Sequence, residues 1–105
     1  MSIQLVMKTQ DGSSRTFDLL EERTTIGRRP TCDLRVALPT IAPLHCEITV
    51  TNGIVQLTNK DPDAQTLHND VIIERVELAD SDKVKIGPVE FTILINDDET
   101  VIRRH

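Results

Sequence analysis

Apolar and polar residues alternate along most of this chain. Ile3, Leu5 and Met7 fall on one side of an extended segment and Gln4, Val6 and Lys8 on the other, the period of two expected of a half-buried strand. The same period runs through Cys46-Glu47-Ile48-Thr49-Val50, Ile54-Val55-Gln56-Leu57, Lys83-Val84-Lys85-Ile86 and the run from Val89 to Ile95. Between these runs stand Asp11-Gly12, Asn52-Gly53 and Gly87-Pro88, dipeptides suited to tight turns because glycine, and to a lesser degree Asn and Asp, accept positive φ. Three hairpins follow. The segment from Val71 to Leu78 contains helix-favouring Glu74, Arg75 and Glu77. Its opening Val71-Ile72-Ile73 is β-branched, however, and Val76 and Leu78 alternate with charges, so it reads as two short strands joined by a bend. No segment carries a helical pattern. Short strands separated by turn signals at intervals of about ten residues predict an all-β, two-sheet antiparallel β-sandwich.

Composition narrows this further. A chain of 105 residues makes one domain and leaves no room for an interdomain cleft. Phe17 and Phe91 are the only aromatic residues, so the core must be built from Val, Ile and Leu. A net charge of −5 argues against nucleic-acid and membrane-surface partners, which need a field of Lys and Arg. Cys32 and Cys46 have neither the number nor the spacing of a disulfide framework or a zinc knuckle, and no apolar run is long enough for a signal peptide or a membrane span. The reading is an intracellular protein with reduced thiols. The pattern assigns residues 1–96 to the domain and 97–105 to a charged C-terminal tail or the start of a linker, and the short lead into the first strand places the domain at the start of a longer parent protein.

Catalysis finds no support. There is no Gly-rich phosphate cradle, no nucleophile with a base at a recognised spacing, and no carboxylate pair on one strand. His45, Cys46 and His68 invite a metal reading, but neighbouring side chains in a strand point to opposite faces, so His45 and Cys46 are poorly placed to share a ligand. No enzyme activity, metal or cofactor is expected.

Gly27-Arg28, then Cys32-Asp33-Leu34-Arg35-Val36, then Ile41-Ala42-Pro43-Leu44-His45-Cys46-Glu47-Ile48 follow one another in an order that resembles the forkhead-associated (FHA) domain. In that family Gly-Arg, Asp-Ile/Leu-x-Ile/Val and Ser-x-x-His line a phosphothreonine-binding edge. The resemblance implies an FHA/SMAD-like sandwich of about eleven strands whose loops at one end recognise a phosphopeptide. It makes Arg28 the phosphate contact, with a charged planar fork suited to phosphate oxygens, and Gly27 the residue that lets the backbone turn tightly enough to aim it. It makes His45 an architectural residue that holds the loops together. The plainer reading of Arg28 is a surface arginine in the loop Arg28-Arg29-Pro30.

The departures are as informative as the matches. Ala42 stands where the family serine donates its hydroxyl to phosphate, and Pro43 brings no donor at all. Asp63 replaces a Ser or Thr that would reach the phosphate, and Ala64 replaces the asparagine that holds the peptide main chain. Thr66 and Asn69 match the family pattern. Arg29, Thr40 and Lys60 lie in the recognition loops and could rebuild an anion site, although Lys60, beside Asp61 and Asp63, also reads as part of a charge-balanced turn. The candidate binding residues are therefore Arg28, Arg29, Thr40, Lys60, Thr66 and Asn69.

Two functions stay open. One is a non-catalytic FHA-type interaction module that brings its parent to a protein partner, with a phosphothreonine peptide as ligand if the pocket is intact and an unmodified surface if it is not. The other is a structural or self-association module, a monomer or weak homodimer. The resemblance implies a nuclear address in preference to a cytoplasmic one, and roles such as DNA-damage signalling, the cell cycle and chromosome segregation.

Overall fold

The computed structural model describes residues 2–9 and 11–96; the charged tail expected over 97–105 lies outside them. Eleven strands follow in chain order: β1 (Ser2–Lys8), β2 (Ser14–Asp18), β3 (Arg23–Gly27), β4 (Leu34–Arg35), β5 (Cys46–Thr51), β6 (Ile54–Asn59), β7 (Thr66–His68), β8 (Val71–Ile73), β9 (Arg75–Glu77), β10 (Lys83–Ile86) and β11 (Val89–Asn96). They form a six-stranded sheet in the order β2-β1-β11-β10-β7-β8 and a five-stranded sheet in the order β4-β3-β5-β6-β9. The described residues contain no helix, and the region from Val71 to Leu78 is two strands, as its β-branched opening predicts.

The alternation becomes the core. Ile3, Leu5 and Met7 pair with Ile95, Ile93 and Phe91 across β1 and β11. Ile26 pairs with Cys46, and Ile48 with Leu57, in the other sheet. Leu5, Ile26, Leu57, Phe91 and Ile93 are fully buried where these inner faces meet. Burying such side chains contributes on the order of 1.5–3 kcal/mol each.

The predicted turns close the predicted hairpins, with φ of 53° and 78° at Asn52 and Gly53 and 54° at Gly87. A fourth tight turn, at Asn69 and Asp70 between β7 and β8, has φ of 49° and 71° without any glycine.

One strand pair departs from the antiparallel expectation: β4 runs parallel to β3, with Ile26 opposite Leu34 and Gly27 opposite Arg35. Parallel neighbours normally need a crossover of a dozen or more residues. Here a side-chain clasp closes the loop over 28–33 at its base. The Asp33 carboxylate accepts from the Thr25 N–H at 2.9 Å and the Thr25 hydroxyl at 3.0 Å, while the Asp33 N–H donates to the Thr25 hydroxyl oxygen at 3.0 Å. This clasp fixes the loop that carries Arg28.

These bonds favour the ionised acid. The N–H and hydroxyl of Thr25 hold the Asp33 carboxyl below its ordinary 3.8. The hydroxyl of Thr9 and the N–H of Ser13 pull Asp11 down to about 2. At Asp82 burial works to raise the value, but the Ala79 N–H, His68 and Asn69 together hold it below 3.8. Depressed folded-state values stabilise the fold above the unfolded-state value, and that stability is lost as pH falls through the folded values. The thermal midpoint is therefore expected to hold steady through mildly acid pH, then fall once pH drops below 3.8 and on towards about 2. Asp33→Asn should flatten part of that fall in a pH series of thermal melts.

Candidate functional site

Three loops meet at one end of the sandwich: residues 28–33 between β3 and β4, 36–45 between β4 and β5, and 60–65 between β6 and β7. Backbone bonds join the first two. The Arg28 N–H donates to Ala42 O at 3.0 Å, the Arg29 N–H to Pro43 O at 3.1 Å, and the His45 N–H to Ile26 O at 2.9 Å. The approach is so close that a Cβ on Gly27 would lie 2.3 Å from Pro43 O and 2.9 Å from Leu44 Cα. Gly27 is not among the residues with positive φ. Its absent side chain therefore serves the contact between loops, and the expected role of permitting a tight turn is corrected accordingly.

His45 joins the second loop to the third. It lies just before β5, is 2 % exposed, and spans the gap between Ala42 and Gln65. Its Nδ1 accepts the Ala42 N–H at 3.1 Å, which leaves Nε2 to carry the proton and donate to Gln65 O at 2.8 Å. Its own carbonyl accepts the Lys60 N–H at 2.9 Å. His45 precedes β5 and Cys46 opens it, and both residues are buried. Burial pushes the Cys46 thiol up to about 12, so it is an inert core residue. No group of three or more His, Cys, Asp or Glu among the described residues is placed to hold a metal ion.

The third loop is shaped from within. Asp61 accepts the Asp63 N–H on its carboxylate at 2.8 Å, and its backbone carbonyl accepts the Ala64 N–H at 3.0 Å, an aspartate turn of the usual kind. Asn59 braces the turn by donating to Asp61 O at 2.9 Å and Ala64 O at 3.2 Å.

These loops enclose an open cavity of about 540 Å³. Arg28, Thr40, Ala42 and Pro43 form one wall, Asp61, Asp63 and Ala64 line it from the third loop, and Gly87 lines it from the β10–β11 turn. The Arg28 Nε donates to Ile41 O at 3.0 Å. That bond orients the guanidinium, and its two terminal nitrogens have no partner among the described residues. Arg28 is the only cation of the lining, against the two carboxylates of Asp61 and Asp63. The Ala42 N–H is already spent on His45, and Pro43 has none, so the second loop offers the cavity only the Thr40 hydroxyl as a side-chain donor.

The other expected contacts fall elsewhere. Arg29 and Lys60 are exposed at the loops but do not line the cavity. Thr66 is fully buried, and its hydroxyl donates to Asn59 Oδ1 at 2.7 Å. It cannot touch a peptide, and its hydroxyl supports Asn59 instead. Thr66→Val should cost about 1–1.5 kcal/mol in denaturant melts and leave ligand affinity unchanged. Asn69 occupies the left-handed turn after β7. Its Oδ1 accepts the Lys83 N–H at 2.9 Å, and its Nδ2 lies 3.4 Å from Asp82 Oδ1. Its carboxamide holds the turn, which removes it from the ligand surface. Pro39, Leu67 and Gly87 line the cavity without having been foreseen there, Gly87 reaching it from a distant hairpin.

Comparison with known proteins agrees with this fold. The model of the FHA domain family matches residues 24–87. No curated protein matches the sequence. Among solved structures, one from a study of phosphothreonine-dependent FHA domain interactions is 26 % identical, covers 91 % of this chain and 98 % of its own, and superposes with a TM-score of 0.82. The FHA domain of FhaA, solved with the intracellular domain of a second protein, is 27 % identical over 88 % of this chain and 99 % of its own, with a TM-score of 0.79. The N-terminal FHA domain of S. cerevisiae Rad53p, solved with a phosphothreonine peptide, has the same fold at 18 % identity, covering 97 % of this chain and 99 % of its own with a TM-score of 0.81.

Proposed function

The chain belongs to the FHA domain family, whose members are non-catalytic, phosphopeptide-binding interaction modules, and from that premise we propose that it recruits its parent protein to a protein partner through a phosphate pocket that has degenerated. One observation carries this reading. The cavity where a phosphothreonine would sit holds one arginine against two aspartates, with Ala42 in place of a hydroxyl donor. A phosphate of nearly two negative charges needs several aimed donors, and the lining presents only the side chains of Arg28, Thr40 and Gln65 as free donors among the described residues. Arg28 remains oriented by the Ile41 carbonyl, so the edge keeps an anchor for a carboxylate or a main-chain carbonyl of an unmodified segment. The complex with a partner is expected to survive phosphatase treatment of that partner and to weaken about tenfold on Arg28→Ala. Release by phosphatase would sink the proposal.

A second reading has its own observation. β8 is an edge strand of the six-stranded sheet, and it exposes Val71 and Ile72 at 61 % and 59 %. Exposed apolar edges favour pairing with another chain. Self-association there would make the elution volume shift with concentration, and Ile72→Lys would abolish the shift.

A further inference from the structure

A second cavity, of about 480 Å³, lies on the other side of the rim that borders the first. Leu38 and Pro88 line it, while their chain neighbours Pro39 and Gly87 line the cavity around Arg28. The two hollows therefore share walls built from the β4–β5 loop and the β10–β11 turn. They differ in chemistry. The floor of the second is apolar, made by Met7, Val36, Leu38 and Val89. Its charged residues are Arg15, Arg35 and Asp11.

These charges are not equally available. The Asp11 carboxylate accepts from the Thr9 hydroxyl and from the Ser13 N–H at 2.9 Å, so it is occupied within its own hairpin. The Arg35 Nε donates to Arg28 O at 3.1 Å, which fixes the guanidinium and leaves its terminal nitrogens without a partner among the described residues. Arg15 stands over the Phe17 ring at 5.2 Å from its centre, a stacking that holds the charge in place. In a chain of net charge −5, this groove is locally positive by one.

We propose that this groove is a second ligand site, which takes an unmodified acidic and aliphatic segment of a partner protein. A carboxylate of the segment sits between Arg15 and Arg35, and a neighbouring Leu, Ile or Val lies on the floor of Met7, Val36, Leu38 and Val89. The surplus of one positive charge matches a single carboxylate better than a dianion, and the net charge of the whole chain repels a polyanion. Side-by-side hollows at one end of the sandwich let one extended segment engage both. The Arg35 bond to the Arg28 backbone ties the two sites mechanically.

The test is a titration of the isotope-labelled chain, followed by amide NMR shifts. The probe is an acetylated, amidated hexapeptide library with Glu fixed beside Leu or Ile, compared with a twin carrying Gln in place of Glu. The expected result is shifts concentrated at Arg15, residues 35–38 and Val89 with the Glu library. Affinity should fall about five- to tenfold for the Gln twin and for Arg15→Gln, a change on an exposed strand position that touches no recognition loop. Glu77→Gln, on the edge strand β9 of the other sheet and outside both cavities, should leave this binding unaltered, which excludes a general effect of charge. Equal binding of the two libraries, shifts confined to the loops around Arg28, or no shifts at all would overturn the proposal. Concentration-dependent shifts at the same residues without peptide would assign the groove to a second copy of the chain and also overturn it.

Discussion

Ala42→Ser combined with Asp63→Ser should raise affinity for phosphothreonine peptides about a hundredfold. The first change restores a hydroxyl on the cavity wall beside Arg28. A hydrogen bond to a charged group contributes about 1.5–3 kcal/mol, or roughly ten- to a hundredfold. The second change removes a carboxylate from the same cavity and supplies another hydroxyl. Relief of an exposed like charge adds up to about 1 kcal/mol. Neither side chain makes a bond that the loops depend on, because the bonds to Ala42 and Asp63 run through their backbones. The fold should therefore be kept, and calorimetry on the single and double variants would apportion the gain. A folded double variant with no gain would mean that Ala42 and Asp63 do not set the phosphate affinity of this edge.

The largest loss of stability is expected from Gly27→Ala. The added Cβ would come within 2.3 Å of Pro43 O, and backbone atoms cannot move aside as a flexible side chain can. Separating the loops breaks the bonds from the Arg28 and Arg29 N–H groups, and Cys32 Sγ also donates to Pro43 O at 3.2 Å. Overpacking costs about 1–3 kcal/mol and each lost bond about 1, so a loss of about 3–5 kcal/mol is expected. That lowers the thermal midpoint by about 12 °C or more, and displacement of Arg28 would weaken any ligand held there. A melt within a few degrees of the native protein would show that the loops can part without cost.

The fold was legible because its signals are local. Asn52-Gly53 and Gly87-Pro88 state their turns in two residues, and the alternation from Ile3 to Met7 states which face is buried. Asn69-Asp70 turns in the same way but lacks a glycine, and family spacing drew Asn69 towards the ligand instead. What failed to read through was contact between residues distant in sequence. Gly27 is explained by Pro43, Thr66 by Asn59, and the loop of Arg28 by the clasp of Thr25 with Asp33. A threonine with a buried partner and one facing solvent look alike in a period-two pattern. Arg28, singled out by its motif, lines the cavity, whereas Arg29 in the same loop and Lys60 in the third do not.

The most direct test of the degenerate pocket is calorimetric titration of the native chain with a degenerate phosphothreonine peptide library and its unphosphorylated twin. The phosphorylated library is expected to bind no more tightly than the twin. Micromolar binding of the phosphorylated library alone, abolished by Arg28→Ala, would contradict it and establish a working phosphothreonine site despite Ala42.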